Sequence, residues 1–174
     1  QMLYYKSLIP KFHYQNLLKI ILSRSIRSAR FTYHFKLTRV SEPVYEPYIC
    51  RKHKNKICAP TTTLLPFIKK YSVDTIRRLS EFAKIRTKQP FEILHGDSRK
   101  INFNLILENN FQGQKIDGII CSPPYVGLID YQLEHQFTYE LFNLPMDLDN
   151  EIGSNNKGTS ALAREDYQKS IADV

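Results

Sequence analysis

Ser122, two prolines and Tyr125 stand directly after the apolar run Asp117–Cys121, and these residues are the best suited to chemistry in the chain. A short apolar run that stops at a polar residue and prolines predicts a strand followed by a rigid, exposed loop. Open α/β folds place their ligands beyond the carboxyl ends of such strands. Because proline has no backbone N–H, the loop would offer carbonyl acceptors and few donors. The pattern predicts a site for a donor-rich group such as an amine.

The tetrapeptide Ser122-Pro123-Pro124-Tyr125 resembles the catalytic motif of the DNA amino-methyltransferases, which reads Ser, Asp or Asn, then Pro-Pro, then Tyr or Phe. Ser in the first position is most similar to the enzymes that methylate the 4-amino group of cytosine, whereas Asp or Asn is usual for adenine. The resemblance covers most of the chain. The segments that are similar to one branch of the prokaryotic restriction-modification methylases are 47–48, 52–53, 71–75, 122–131, 134–136 and 139–142.

The resemblance implies an α/β fold, the Rossmann-like fold of methyltransferases that use S-adenosylmethionine (SAM), present here in part and with a basic, loop-rich insertion. In these enzymes the strand before the catalytic one ends in an acidic residue beside the adenine of SAM. The apolar segment Phe91–His95, which leads into Gly96 and Asp97, matches that position. Asp97 and Ser98 are therefore predicted to contact the cofactor, and residues 102–110 to form the helix between the two strands.

Methylation of an amine explains the residue types of the loop. The Ser122 oxygen and the Pro123 carbonyl would accept hydrogen bonds from the amine, which draws its nitrogen towards sp³ geometry and its lone pair towards the methyl group. Pro124 would set the shape of the loop. Tyr125 would stack on the extruded base, and stacking of roughly 1–3 kcal/mol offsets part of the cost of base flipping. No covalent nucleophile is needed, so Cys121 is not required for attack.

Other interpretations of the two motifs stay open. Pro-Pro-Tyr also occurs in polyproline ligands of small adaptor domains, and Gly-Asp after a strand is an ordinary turn. The same chemistry could act on adenine in DNA or on guanine in RNA. A nucleic-acid-binding module without catalysis is the alternative from another functional class. The interpretation that we adopt is a site-specific DNA methyltransferase that acts on the exocyclic amine of cytosine in a restriction-modification system.

Charge is distributed unevenly along the chain. Residues 1–100 hold 21 Lys and Arg against 6 Asp and Glu, whereas residues 101–174 hold 4 against 11. A basic surface binds phosphates regardless of base sequence, so the first part is predicted to face nucleic acid, although surface charge can also serve solubility alone. We divide the chain into a basic, helical and loop-rich region at 1–90 and a central part of the methyltransferase domain at 91–174. The predicted partner is double-stranded DNA, with a cognate restriction endonuclease as a further candidate.

Apolar residues at helical spacing predict an amphipathic helix over 14–31. Within it, Arg24, Arg27 and Arg30 recur every three residues and form a cationic ridge. We assign this ridge to DNA phosphates, and the alternative is that its charges stabilise the carboxyl end of their own helix. Further predicted helices are 72–86, with Ser72 as the N-cap, and 131–144; the predicted loops are 31–66 and 145–160.

Cys50, His53 and Cys58 form the pattern Cys-x2-His-x4-Cys, which could supply three ligands to zinc. A fourth ligand is not obvious in the sequence, so we interpret the two cysteines as ordinary thiols in a basic loop and predict no metal site. Three cysteines and no export segment favour a reducing interior, and the apolar run Leu17–Leu22 contains Lys19 and is too short to span a membrane. The predicted location is the cytoplasm.

The chain is also predicted to be a piece of a longer enzyme. It begins with Gln1, none of its six glycines forms a Gly-x-Gly pattern, and residues 164–174 have the composition of a helix without a stop signal. We expect the cofactor loop to precede Gln1 and later strands to follow Val174. Taken alone, the chain is expected to bind SAM poorly and to lack activity.

Overall fold

The computed structural model describes residues 1–29, 33–34, 44–61, 63–122 and 124–173. The chain separates into two compact units. The first, Gln1–Ile85 with Asp130–Asn150, is named the helical unit, and the second, Arg86–Ile129 with Glu151–Val174, is named the motif unit because it contains both sequence motifs. The boundary predicted at residue 90 lies close to the start of the motif unit, but residues 130–150 group with the helical unit.

Helices dominate the described residues. None of these helices is long and apolar enough to cross a membrane. Short 3₁₀ turns occur at Ile9–Lys11, Arg51–His53, Ser98–Lys100 and Asn155–Lys157. In chain order the other elements are α1 (Met2–Leu8), α2 (Gln15–Ser28), β1 (Tyr48–Cys50), β2 (Lys56–Cys58), α3 (Leu65–Ile85), α4 (Phe103–Phe111), α5 (Tyr131–Glu134), α6 (Gln136–Phe142) and α7 (Ala161–Ala172).

Helix α2 lies at the centre of the helical unit. Its apolar residues share one face, and Leu22 and Ile26 are buried in a cluster with Leu64 and Leu141. The helix contacts α1, α3 and α6, so the burial of one apolar face holds these elements together. The helix predicted over 14–31 is confirmed for its described part, Gln15–Ser28.

The start predicted for the next helix at Ser72 is wrong. Helix α3 begins at Leu65, and Ser72 lies in its interior. Pro66 accounts for the earlier start, because proline is favoured in the first helical turn, where its missing N–H has no partner to lose. This end of α3 is anchored in the core by Leu64 and Ile68, whereas Phe82 near the other end is 55% exposed.

The parallel sheet of the predicted α/β fold is not formed by the described residues. Their one sheet is the antiparallel hairpin of β1 and β2, in which Cys50 pairs with Lys56. The predicted strands Phe91–His95 and Asp117–Cys121 have no regular secondary structure, and Ile119 is 82% exposed. The physical reason is that a strand, unlike a helix, needs a neighbouring strand for its backbone hydrogen bonds. The Rossmann-like fold therefore stays a prediction.

The helix predicted over 102–110 is confirmed in the motif unit. The Asn102 side chain accepts a hydrogen bond from the Leu105 N–H at 3.1 Å, which caps the start of α4. The helix ends where Gln112 and Gly113 adopt positive φ angles of 55° and 71°, and the Gly113 N–H returns to the Leu107 carbonyl. At α7, Ser160 provides the corresponding cap for the Ala163 N–H.

The helix predicted over 131–144 is present in two pieces. Helices α5 and α6 meet at His135, whose φ of −114° and ψ of 12° interrupt the helical backbone. The second piece ends at Asn143, which has a φ of 51°. Residues 145–160 form the predicted loop, apart from the 3₁₀ turn near its end, and the Gln132 side chain holds both the N–H and the carbonyl of Asp147.

Candidate functional site

Two side chains of the loop that follows Asp117–Cys121 are exposed. Ser122 is open to solvent and the Tyr125 side chain is 55% exposed, so both side chains are accessible to a ligand. Pro123, the predicted second acceptor, lies outside the described residues. Pro124 is half-buried, and its carbonyl accepts a hydrogen bond from the Tyr167 hydroxyl at 2.9 Å. Sequence reasoning missed this contact, because nothing in the sequence links α7 to the loop.

A tight packing of backbone fixes the residues just after the loop. The Gly127 N–H donates to the Gly153 carbonyl at 2.9 Å, and both glycines have positive φ angles. A Cβ atom on Gly127 would lie 2.4 Å from the Thr159 methyl group, and one on Gly153 would lie 2.9 Å from the Tyr167 ring. Only glycine fits these two positions. Gly153, Thr159 and Tyr167 therefore pack around the candidate catalytic loop, which we define as residues 122–125, and around Gly127 just after it.

Asp97, the predicted cofactor contact, ends the other motif of this unit. Its Oδ1 accepts from the Arg99 N–H at 3.1 Å and from Arg99 Nε at 2.8 Å. Its Oδ2 accepts from Arg99 Nη2 at 2.8 Å and lies 3.7 Å from Lys100 Nζ. The Arg99 guanidinium lowers the pKa of the Asp97 carboxyl from 3.8 to about 2. Asp97 is thus a fixed anion at neutral pH, and Arg99 occupies much of its accepting capacity.

The residues after Asp97 shape the surface around it. Ser98, the other predicted cofactor contact, is half-buried and starts the 3₁₀ turn that Asp97 caps. Residues 99–104 line an open recess of about 510 Å³. The recess is a concave surface on which a polar ligand can lie.

The two described arginines of the predicted cationic ridge are paired with carboxylates in the helical unit. Arg24 lies 2.8 Å from Asp74 and also covers the Tyr71 ring at 4.4 Å. Arg27 lies 2.8 Å from Glu134. These pairs tie α2 to α3 and α5, which is a structural use of the charges. Contact with DNA phosphates stays a prediction for both residues, and Arg30 lies outside the described residues.

Asp74 is the centre of this ionic network. It lies 3.0 Å from both Arg77 and Arg78, in addition to Arg24. These hydrogen bonds lower the pKa of the Asp74 carboxyl to about 2, with the bond to Arg24 as the largest cause. Nearby, burial and the Arg27 charge lower the pKa of His135, so this imidazole is neutral at physiological pH.

A cluster of possible metal ligands lies beside the β1–β2 hairpin. Cys50, His53 and Cys58, the three residues of the sequence pattern, meet a fourth residue there, His34. Sequence reasoning missed His34 because fifteen residues separate it from Cys50. The longer pattern His-x15-Cys-x2-His-x4-Cys is the signal that could have identified it.

The motifs and the ridge belong to different parts of the chain. Asp97, Ser122 and Tyr125 lie in the motif unit, whereas Arg24 and Arg27 lie in the helical unit. The predicted catalytic and cofactor residues thus share one compact unit. The predicted DNA-binding residues do not.

Comparison with known proteins adds one strong similarity. No protein-family model matches the chain, and no solved structure matches it. The chain is 45% identical over 161 residues to Type II methyltransferase M.MjaII of Methanocaldococcus jannaschii. The matched residues are 89% of this chain but only 30% of that relative, so the chain spans less than a third of the curated protein that it matches. The similarity supports the resemblance of the chain to restriction-modification methyltransferases.

Proposed function

We propose that this chain is part of a SAM-dependent DNA methyltransferase that modifies the exocyclic amine of cytosine in duplex DNA, within a restriction-modification system. The observation that carries the proposal is the exposure of Ser122 and Tyr125 in a chain 45% identical to a Type II methyltransferase. The matched residues are less than a third of that relative, so we assign the complete activity to a longer protein that contains this chain.

Ser122 and Pro123 hold the amine in the proposed reaction. The exposed Ser122 hydroxyl accepts one hydrogen bond from the amine, and the Pro123 carbonyl accepts the other. Both acceptors favour a pyramidal nitrogen. The lone pair of such a nitrogen is less delocalised into the ring, so its geometry resembles that of the transition state. Held by these two acceptors, the nitrogen would take the methyl group that bound SAM would supply with release of the demethylated cofactor, and one amine proton would pass to water.

Tyr125 and Tyr167 support the same step in different ways. The exposed Tyr125 ring stacks on the extruded base and stabilises it outside the duplex. Tyr167 touches no substrate in this account. Its hydroxyl holds the Pro124 carbonyl, so it is a positioning residue for the loop.

The described residues fit part of a SAM site. SAM, when bound, supplies an activated methyl group on a sulfonium centre. Asp97 would accept hydrogen bonds from the cofactor beside the recess of residues 99–104, with Ser98 next to it. Because Arg99 already holds both carboxylate oxygens, the cofactor would have to share Asp97 with Arg99 or displace it. We assign the remaining cofactor contacts to residues of the longer protein.

The helical unit would contact the DNA backbone. Arg51, Lys52, Lys54 and Lys56 on the hairpin are exposed, and no carboxylate among the described residues pairs with them. These cations support a phosphate contact at the hairpin. Arg24 and Arg27 stay candidates for phosphate contact. Each guanidinium would bind a phosphate and at the same time keep the carboxylate with which it already pairs.

The proposal is tested by identifying the methylated nucleoside. The complete enzyme that contains this chain is incubated with labelled SAM and either duplex DNA or RNA, and the products are digested and analysed by mass spectrometry. We expect label only in N4-methylcytosine from DNA. N6-methyladenine would contradict the proposed base, methylated guanosine in RNA would contradict the proposed polymer, and the absence of transfer would favour a binding module without catalysis.

A further inference from the structure

We infer that His34, Cys50, His53 and Cys58 form a structural zinc site that holds the β1–β2 hairpin of the helical unit. One ligand atom from each residue lies within 4.8 Å of the ligand atoms of the other three. The inference does not depend on the methyltransferase proposal, because it concerns the folding of a different unit of the chain.

The distances between these atoms are close to those of a tetrahedral zinc site. His34 Nδ1 lies 3.5 Å from Cys50 Sγ, and His53 Nδ1 lies 3.0 Å from Cys58 Sγ. With zinc bonds of about 2.0–2.3 Å, the ligand atoms of a tetrahedron are separated by roughly 3.3–3.8 Å. All the separations are within 4.8 Å, so side-chain rotation would have to shorten only those that exceed the tetrahedral range.

The hairpin brings three of the ligands together. Cys50 ends β1 and Cys58 ends β2, and the register that pairs Cys50 with Lys56 places both cysteines on the same face of the hairpin. Between them, the 3₁₀ turn Arg51–His53 folds His53 back towards the cysteines. The turn closes with the Asn55 N–H bound to the Cys50 carbonyl at 3.0 Å.

The turn between β1 and β2 contains two residues with positive φ angles. Lys54 and Asn55 have φ angles of 54° and 60°, which is an unfavourable region for a residue with a side chain, above all for lysine. Two successive residues in this conformation persist when the surroundings fix them. A metal ion bound to Cys50, His53 and Cys58 would fix both sides of the turn.

His34 reaches the site through contacts with β1. Its backbone N–H donates to the Tyr48 hydroxyl at 3.1 Å, and its ring lies 4.6 Å from the His53 ring, centroid to centroid. The neighbouring Tyr33 ring packs edge-on against Tyr48 at 4.6 Å. These contacts hold His34 beside the hairpin although it is far away in the sequence.

The ligand types select the metal and the role. Two thiolates and two imidazoles are the preferred ligands of Zn²⁺, whereas Mg²⁺ and Ca²⁺ prefer oxygen. Four protein ligands leave no position for a substrate, so the site is structural. Binding replaces the two thiol protons, which are released to solvent.

The hairpin is small, and for this reason we expect its folded state to be stabilised by the metal. Each strand has three residues, Ile49 and Ile57 are exposed, and Cys50 alone of the ligands is fully buried. A two-stranded hairpin is at best marginally stable in water. Zinc binding contributes directly to folding in such small elements and would present the exposed cations of the turn in one conformation.

The test is metal analysis of the purified 174-residue chain. We expect one zinc ion per chain, and Co²⁺ in its place should give the intense visible absorption of a tetrahedral site with thiolate ligands. Cys58→Ser and His34→Asn should lose the bound zinc and lower the melting temperature. The matched controls are Cys121→Ser and His95→Asn, which change an exposed cysteine and an exposed histidine of the motif unit and should keep the metal.

Each other outcome would overturn the inference. Zinc that is lost in Cys121→Ser, or retained in Cys58→Ser, would place the metal elsewhere. Retention in His34→Asn would exclude the four-ligand site. A chain without stoichiometric zinc, or one with a Cys50–Cys58 disulfide detected by thiol titration, would show that the cluster is not a metal site. If Cys58→Ser fails to fold, the Co²⁺ spectrum of the unaltered chain decides, because only tetrahedral thiolate coordination gives those bands.

Discussion

Among the described residues, the buried apolar core lies in the helical unit, whereas the two predicted strand segments of the motif unit expose their isoleucines. Leu22 and Ile26 of α2 are 3% exposed, whereas Ile93 and Ile119 are 80% and 82% exposed. A helix satisfies its backbone within itself and needs only a surface on which to pack one face. A strand needs neighbours for its backbone as well as its side chains. Residues 117–121, which precede the candidate catalytic loop, thus have no strand pairing among the described residues that would bury their apolar side chains.

The largest effect on activity is expected from a substitution in the candidate catalytic loop of the motif unit, compared with one at an exposed position of the helical unit. In the complete enzyme, Ser122→Ala should lower kcat by about 10²–10³-fold, because it removes one acceptor for the reacting amine. Steady-state kinetics with labelled SAM measures the change. Ser80→Ala on the exposed side of α3 is the matched control and should leave kcat unchanged. Equal kcat values for the two variants would remove Ser122 from the mechanism.

The difference in burial is tested by two isoleucine variants. Ile26→Ala should destabilise the 174-residue chain by about 2–5 kcal/mol, because it leaves a cavity in the core. Ile119→Ala should change the stability of the same chain by less than about 0.5 kcal/mol, because its side chain is exposed. Urea unfolding measures both values. A cost at Ile119 equal to that at Ile26 would mean that the segment is already packed in this chain.

In the complete enzyme the difference in stability cost between Ile26→Ala and Ile119→Ala should disappear. If residues 117–121 form a buried strand of a Rossmann-like sheet there, Ile119→Ala should become as destabilising as Ile26→Ala. No change at Ile119 in the longer protein would contradict the proposed fold.

Tyr167→Phe should have a smaller effect, confined to the motif unit. The variant keeps the ring that packs against Gly153 and loses only the hydrogen bond to Pro124, a cost of about 0.5–1.5 kcal/mol. We expect a lower kcat for the complete enzyme with unchanged binding of SAM. Tyr14→Phe, at an exposed position of the helical unit, should have no effect. A Tyr167→Phe enzyme with normal kcat would exclude a positioning role.

The smallest expected effect is that of the Asp74 ion pairs, which stabilise the chain at neutral pH and not in strong acid. The pKa of Asp74 is about 2 in the folded chain against an ordinary value of 3.8, so the folded state favours the charged carboxylate. Its stabilisation is complete above pH 3.8 and is lost as the pH falls towards 2. Asp74→Asn should therefore lower stability at neutral pH and flatten the acid part of the stability profile, measured by thermal unfolding against pH. An unchanged profile would show that the network does not stabilise the helical unit.

The features that the sequence predicted correctly are local ones. The apolar spacing of Leu18, Leu22 and Ile26 specifies α2 through near neighbours. The cap at Asn102 that begins α4 is equally local, but the prediction of the helix over 102–110 rests on the methylase resemblance and not on this residue. Contacts between distant residues could not be read in this way. His34 meets Cys50, and Tyr167 meets Pro124, only because the chain folds back on itself.

The start of α3 shows a different kind of failure. Ser72 has the side chain of an N-cap, but Pro66 was the stronger signal for the first turn. The carboxylate partners of Arg24 and Arg27 were also hidden, since the two charges of each pair lie at least fifty residues apart in the sequence. Charge spacing placed Arg24 and Arg27 on one helix but could not reveal these carboxylate partners, and the contact of the ridge with DNA stays a prediction.

The most direct test of the account is whether Tyr125 touches a flipped base. Duplex DNA that carries 5-iodocytosine in random sequence is irradiated with the complete enzyme and an unreactive SAM analogue, and the cross-linked peptide is identified by mass spectrometry. We expect a cross-link at Tyr125 that disappears in Tyr125→Ala. Cross-links confined to the hairpin, with none in residues 122–125 of an enzyme that methylates the same DNA, would contradict it.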